Sequence, residues 1–111
     1  MIPRRIAAIG CWAGVLIAAT PALAAESPLV VARGREIART RCSACHAVGW
    51  QGESPKRDAP PFRRLHENYP VADLIGALSQ GAPPSRPGMH RFRLGVSDAR
   101  ALTAYIQSLP R

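Results

Sequence analysis

Cysteine is scarce in this chain. Three residues in 111 are too few for a disulfide-rich scaffold. Aromatic residues are also few, two each of Trp, Tyr and Phe, so they supply little core of their own. No internal repeat or low-complexity tract is visible, which excludes a repeat architecture. No phosphate-cradling loop, paired catalytic base or nucleophile constellation is present to support a separate enzyme activity. With 111 residues, the chain has room for one domain. Eleven prolines and nine glycines predict short helices joined by loops.

The N-terminus reads as a targeting segment rather than as part of the fold. Arg4 and Arg5 form a positive n-region, and Ile6 to Ala19 is almost wholly apolar. Ala22-Leu23-Ala24 is a small-x-small cleavage site. This is the pattern of a secretory signal peptide, residues 1–24, cut after Ala24. The apolar run is short for a spanning helix, so no stable membrane span is expected after cleavage. Cys11 lies early in that run and reads as inert. The expected domain is 25–111, placed in the periplasm. Removing Arg4 and Arg5 leaves 13 basic and 7 acidic residues, a formal charge of +6. Such a balance favours acidic partner surfaces.

The chain is organised around Cys42-Ser43-Ala44-Cys45-His46. Two cysteines two residues apart, followed by histidine, form the pattern for covalent attachment of a c-type haem. Each thiol adds across one porphyrin vinyl, and one tight turn sets both sulfurs at neighbouring vinyls. The imidazole that follows is placed to ligate iron. Two other readings compete. Half of a zinc site needs a second ligand pair, and no second cysteine pair exists. A thioredoxin-like dithiol should follow a strand, whereas the residues before Cys42 read as helix.

In chain order, Ser27-Pro28 opens a first helix running to about Arg41. Val30, Gly34 and Ile37 share one stripe of it. Glycine costs helix stability, so Gly34 predicts a close approach by another helix. Residues 47–61 read as loop, with Trp50 as a loop anchor. Phe62 and Leu65 face inward from a short helix that ends near Glu67. A backbone carbonyl from the proline loop before Phe62 would hold the second ring nitrogen of an iron-bound histidine. His66 reads as a surface residue. A third helix, from about Pro70 to Gln80, presents Val71, Leu74, Ile75 and Leu78 and is expected to be structural only. Gly81 closes it. After a proline-rich loop, Ser97 is expected to cap a last helix that stops before Pro110. Leu102, Tyr105, Ile106 and Leu109 form its apolar stripe. Tyr105 is the bulky residue expected against Gly34.

These features together resemble the class I cytochromes c, small monohaem proteins, over nearly all of residues 25–111. The resemblance implies an all-α fold of four to five short helices wrapped around one covalent haem c, with the terminal helices crossing. It implies attachment through Cys42 and Cys45, His46 as proximal ligand, and Pro60 as the carbonyl that holds it. It implies Met89 as the distal sulfur ligand, and Phe62 is assigned with these residues to the haem-binding set. Two departures stand out. Ile37 occupies a position where an aromatic is common, and His90 sits beside Met89 as a second candidate ligand.

The residues around Met89 support the assignment. It is the only methionine after the leader, and Pro87-Gly88 before it stiffen the approach and allow a tight turn. His90, its neighbour in an extended loop, would point the other way and is expected at the surface. A chain of 87 residues has a marginal core, so the fold should depend on the haem. The expected function is electron transfer, with no enzyme activity and no nucleic-acid partner, although the chain could serve as a subunit of a redox complex. Two rivals stay open: a five-coordinate or bis-histidine haem protein with a sensor or peroxidase-like role, and a thiol–disulfide oxidoreductase. The expected partners are redox proteins with acidic docking surfaces. They would meet Arg39, Arg41, Arg57, Arg63, Arg64, Arg86, Arg91 and Arg93 near the haem-bearing segments.

Overall fold

The computed structural model describes residues 2–3, 7–19, 26–81, 88–89 and 92–111. Three α-helices are seen: α1 (Pro28–Ile37), α2 (Leu74–Gln80) and α3 (Val96–Ser108). Two short 3₁₀ helices, Phe62–Glu67 and Val71–Asp73, lie between α1 and α2. The architecture is all-α, as predicted, with the terminal helices packed together. Residues 7–19 are exposed and carry no helix. No helix among the described residues is long and apolar enough to cross a membrane. The expected cleavage site at Ala24 lies outside the described residues.

Helix α1 starts as its sequence dictates. The Ser27 hydroxyl accepts a hydrogen bond from the Leu29 amide at 3.3 Å, and Pro28 occupies the first turn. The helix does not run on to Arg41 in α form. After Ile37 it widens into a π-helical segment, Ala38–Cys42. A wide turn loosens carbonyls from their usual partners, and two hydroxyls take them up. Thr40 Oγ1 donates to Glu36 O at 2.9 Å, and Ser43 Oγ donates to Arg39 O at 2.6 Å. Ala38 and Cys42 are buried on this segment, while Arg39, Thr40 and Arg41 are exposed.

The contact between α1 and α3 is the centre of the fold. A Cβ on Gly34 would overlap the Ala101 carbonyl and lie 2.7 Å from Tyr105 Cβ. Only glycine permits this approach, and Tyr105 meets Gly34 as the sequence predicted. Ile37 is 3% exposed and packs in the same core, so the absence of an aromatic there leaves no gap at the helix contact. At the rim Arg33 donates from Nε and Nη2 to the two carboxylate oxygens of Asp98, both at 3.3 Å. The Tyr105 hydroxyl donates to Val48 O at 2.6 Å, tying α3 to the loop after His46.

Helix α3 is buried over more of its surface than one stripe requires. All six residues from Ala101 to Ile106 are buried, because α1 covers one side and α2 another. Its cap is Gly95 rather than Ser97, and the helix begins at Val96. Asp98 still falls in the first turn, where it complements the helix dipole. The third predicted helix also divides. Its first turn, Val71–Asp73, is 3₁₀, and α proper begins at Leu74. Gly81 ends it with φ +102°, the left-handed region predicted for a closing glycine. Trp50, expected to anchor its loop, is instead 71% exposed and lines a surface groove with Val31, Ala32 and Tyr105.

Candidate haem-binding site

Cys42 to His46 close one tight turn. The Cys45 and His46 amides both donate to Cys42 O, at 3.2 and 2.9 Å. The loop that follows is pinned back on this turn. The Lys56 amide donates to Cys45 O at 3.1 Å, the Ala47 amide to Ser54 Oγ at 3.0 Å, and the Phe62 amide to Ala47 O at 2.9 Å. These bonds bring the proline loop under the imidazole. His46 Nδ1–H donates to Pro60 O at 2.8 Å. The proton on Nδ1 leaves Nε2 as a lone-pair donor. Proline suits the acceptor position, because its ring fixes φ and so limits where the carbonyl points. Phe62 lies against the imidazole, ring centroids 5.0 Å apart and planes tilted by 39°.

Beside this turn is an apolar cavity of about 210 Å³. Cys42, Cys45, His46, Pro60, Phe62 and Met89 all line it, so the structure brings together every site residue expected from sequence. Leu102 and Ile106 reach it from α3, which thus uses one face for the core and another for the cavity. Helix α2 contributes Leu74, Ala77 and Leu78. The expectation that this helix is only structural is therefore corrected. Its apolar spacing was legible, but spacing does not distinguish a wall of a cavity from a wall of a core. Arg41, Leu65, Tyr69 and Phe92 also line the cavity; the inward face of Leu65 was legible in the sequence, whereas Tyr69 and Phe92 had no distinguishing signal. His66 is half-buried and is not part of the lining. His90 lies outside the described residues.

Met89 reaches the cavity from the segment that follows α2. Gly88 before it has φ +88°, and the Lys56 ammonium lies 3.4 Å from where a Cβ at Gly88 would stand. The backbone angle favours glycine here; the lysine terminus is at ordinary contact distance and could move aside. The Phe92 amide donates to Met89 O at 2.9 Å, closing a turn, and the Leu94 amide donates to Leu78 O at 2.7 Å. The second bond returns the chain to the end of α2.

The donor set fits a haem. Two sulfurs and an imidazole with a free Nε2 share one turn, a thioether comes from a separate segment, and the surrounding wall is aliphatic or aromatic apart from Arg41. The two thiols are unlike one another. Cys42 is buried and Cys45 exposed. Burial pushes the Cys42 thiol up to about 11, only partly countered by the Arg41 guanidinium. A redox dithiol needs the opposite, a nucleophile with a depressed pKa. Among the described residues no group of three or more His, Cys, Asp or Glu could hold a metal ion, as a zinc site would require.

An all-α domain with its terminal helices packed together, and a Cys-x-x-Cys-His turn opening on an apolar cavity, defines a haem-binding fold. The match to a family model places it further: residues 31–110 fit the model described as Cytochrome c, and the chain belongs to the cytochrome c family. No curated protein and no solved structure gives a significant match. Membership implies covalent haem c and haem-based electron transfer, and members are typically electron carriers rather than enzymes.

Proposed function

We propose that the chain is a periplasmic one-electron carrier with a single haem c. Cys42 and Cys45 would hold the haem through thioethers, and His46 and Met89 would ligate its iron. The observation that carries the reading is the His46–Pro60 bond, at 2.8 Å, beside a cavity that both cysteines and Met89 also line. When bound, the haem supplies an iron(III)/iron(II) couple. The chain's own residues set the conditions for it. Pro60 O fixes the imidazole tautomer and raises its basicity. A thioether at Met89 favours the reduced iron, so the midpoint potential should be positive. With His46 and Met89 both holding the iron, no open position would remain for substrate, which would suit electron transfer. Leu74, Leu78, Leu102 and Ile106 keep the surroundings apolar.

The leader of residues 1–24 supports a periplasmic location, since c-type haem is joined to the polypeptide outside the cytoplasm. Partner proteins with acidic surfaces suit the charge of +6 on residues 25–111. Arg39, Arg57, Arg64 and Arg93 are exposed, Arg39 and Arg64 being already paired with Glu36 and Glu67. Arg63 is half-buried, Arg41 lines the cavity, and Arg86 and Arg91 lie outside the described residues. Association with an acidic partner should slow steeply as salt rises; a rate indifferent to ionic strength would count against this surface.

One pair of measurements tests the reading. The mass of the purified protein should equal residues 25–111 plus one haem. The oxidised protein should show the weak near-infrared sulfur-to-iron band, and Met89→Ala should abolish it, lower the potential and admit carbon monoxide. A band that persists in Met89→Ala, or a spectrum altered instead by His90→Ala, rejects Met89.

A further inference from the structure

The cavity wall carries one side chain with a full charge among the described residues, Arg41. It precedes Cys42, and no ion pair involving it is seen among the described residues. Its guanidinium carbon instead lies 4.9 Å from the centroid of the Phe92 ring. Phe92 is not a remote residue. Its amide closes the turn on Met89 O, and its ring lines the same cavity. Met89 and residues 92–95 belong to no helix or sheet. Two backbone bonds seen among the described residues, Phe92 to Met89 and Leu94 to Leu78, lie downstream of the sulfur. Neither ties the turn to the segment that bears Cys42 and His46.

We propose that Arg41 is a positioning residue for Met89: stacked on Phe92, its guanidinium latches the Met89 turn to the haem-attachment turn. The inference rests on the reading of Met89 as a ligand. The contact suits arginine for a physical reason. A planar, weakly hydrated guanidinium stacks on an aromatic face, where a lysine ammonium stays better solvated in water. The latch spans two segments far apart in sequence, so it opposes opening of the Met89 turn without restraining either helix.

The test is a double-mutant cycle in the haem-loaded protein, with Arg41→Gln, Phe92→Leu and the pair combined. Phe92→Trp serves as the variant that keeps an aromatic face. Three quantities are read: hydrogen exchange at the Phe92 amide, the carbon monoxide binding rate of the reduced protein, and the near-infrared band. Arg41→Gln and Phe92→Leu should each raise exchange and carbon monoxide binding by about two- to fivefold, the range set by an exposed cation–π contact. The double variant should be no worse than either single, and Phe92→Trp should stay near native. Equal effects of Arg41→Gln in the native and Phe92→Leu backgrounds would show a simple charge effect and overturn the latch. Native exchange in Arg41→Gln, with the band still lost in Met89→Ala, would overturn the latch and leave the ligand standing. A band that survives Met89→Ala would remove the ligand itself.

Discussion

Gly34 offers the sharpest test of the helix contact on which the fold depends. Replacing it by alanine brings two opposing effects. The gain is conformational: alanine is better than glycine in a helix by about 0.5–1 kcal/mol. The loss is steric. The new methyl would overlap the Ala101 carbonyl and sit 2.7 Å from Tyr105 Cβ. The first of these is backbone in the middle of α3 and cannot rotate aside, so α1 and α3 must separate. Overpacking of this kind costs about 1–3 kcal/mol, occasionally more, and the backbone obstruction places Gly34 at the high end or beyond. The net effect should be a loss of about 2 kcal/mol. For a domain of this size that lowers Tm by roughly 8–16 °C. Gly76 in α2 is the internal control, since a Cβ there meets nothing within 4 Å. Gly76→Ala should carry only the conformational gain and raise Tm by a few degrees, about 0.5–1 kcal/mol. The assay is thermal or urea unfolding of the haem-loaded protein, followed by far-UV circular dichroism. A Gly34→Ala protein as stable as native, or one that shifts with Gly76→Ala, would refute the close packing of the terminal helices.

Tyr105→Phe removes the bond to Val48 O and should cost about 0.5–1.5 kcal/mol in urea unfolding; an unchanged midpoint would show the bond contributes nothing. Burial raises the Tyr105 phenol above its usual 10.0, only partly countered by Arg35, so folding favours the protonated form. The stability this gives is fully present below pH 10 and is lost as pH rises through the folded value. A pH series of unfolding midpoints should therefore fall on the alkaline side, and Tyr105→Phe should flatten that limb. Asp98→Asn breaks an exposed ion pair between α1 and α3 and should cost under about 1 kcal/mol, shrinking in high salt; a larger, salt-independent loss would mean the pair does more than surface electrostatics. The Cys42→Ala, Cys45→Ala protein, unable to attach haem, should lose most helical circular dichroism; native-like helicity would show a core that is sufficient alone.

How much of this was legible in sequence varies with the range over which each feature is determined. The Ser27 cap, the inward faces of Phe62 and Leu78, and the closing role of Gly81 depend on neighbours within a few residues, and the structure matches them. Other local readings were not matched. Ser97 has the better capping side chain, yet Gly95 is the cap and Val96 the first helical residue, at 54% exposure. Nothing in the composition of Ala38–Cys42 announces the π-helical turn, on which Ala38 and Cys42 are buried. Trp50 was expected to anchor its loop, but it is 71% exposed and no described element covers it.

The candidate site divides in the same way. The haem-attachment turn is contiguous chain, and its chemistry follows from five residues in a row, so sequence alone determined it. The proline loop carried a weaker signal, an imidazole in want of an acceptor, and the fold met it with Pro60 O at 2.8 Å. Which side chains enclose the cavity was decided only by the tertiary structure. Leu74 and Leu78, Leu102 and Ile106, Met89 and Phe92 come from three segments separated along the chain. Their apolar spacing is the same for a core and for a cavity wall. The close approach of α1 and α3 at Gly34, and the return of the chain through Leu94 to Leu78, leave an apolar space rather than a filled interior. Local sequence determines what a residue offers; which residues share a cavity depends on contacts between distant segments, and these exist only once the chain has folded.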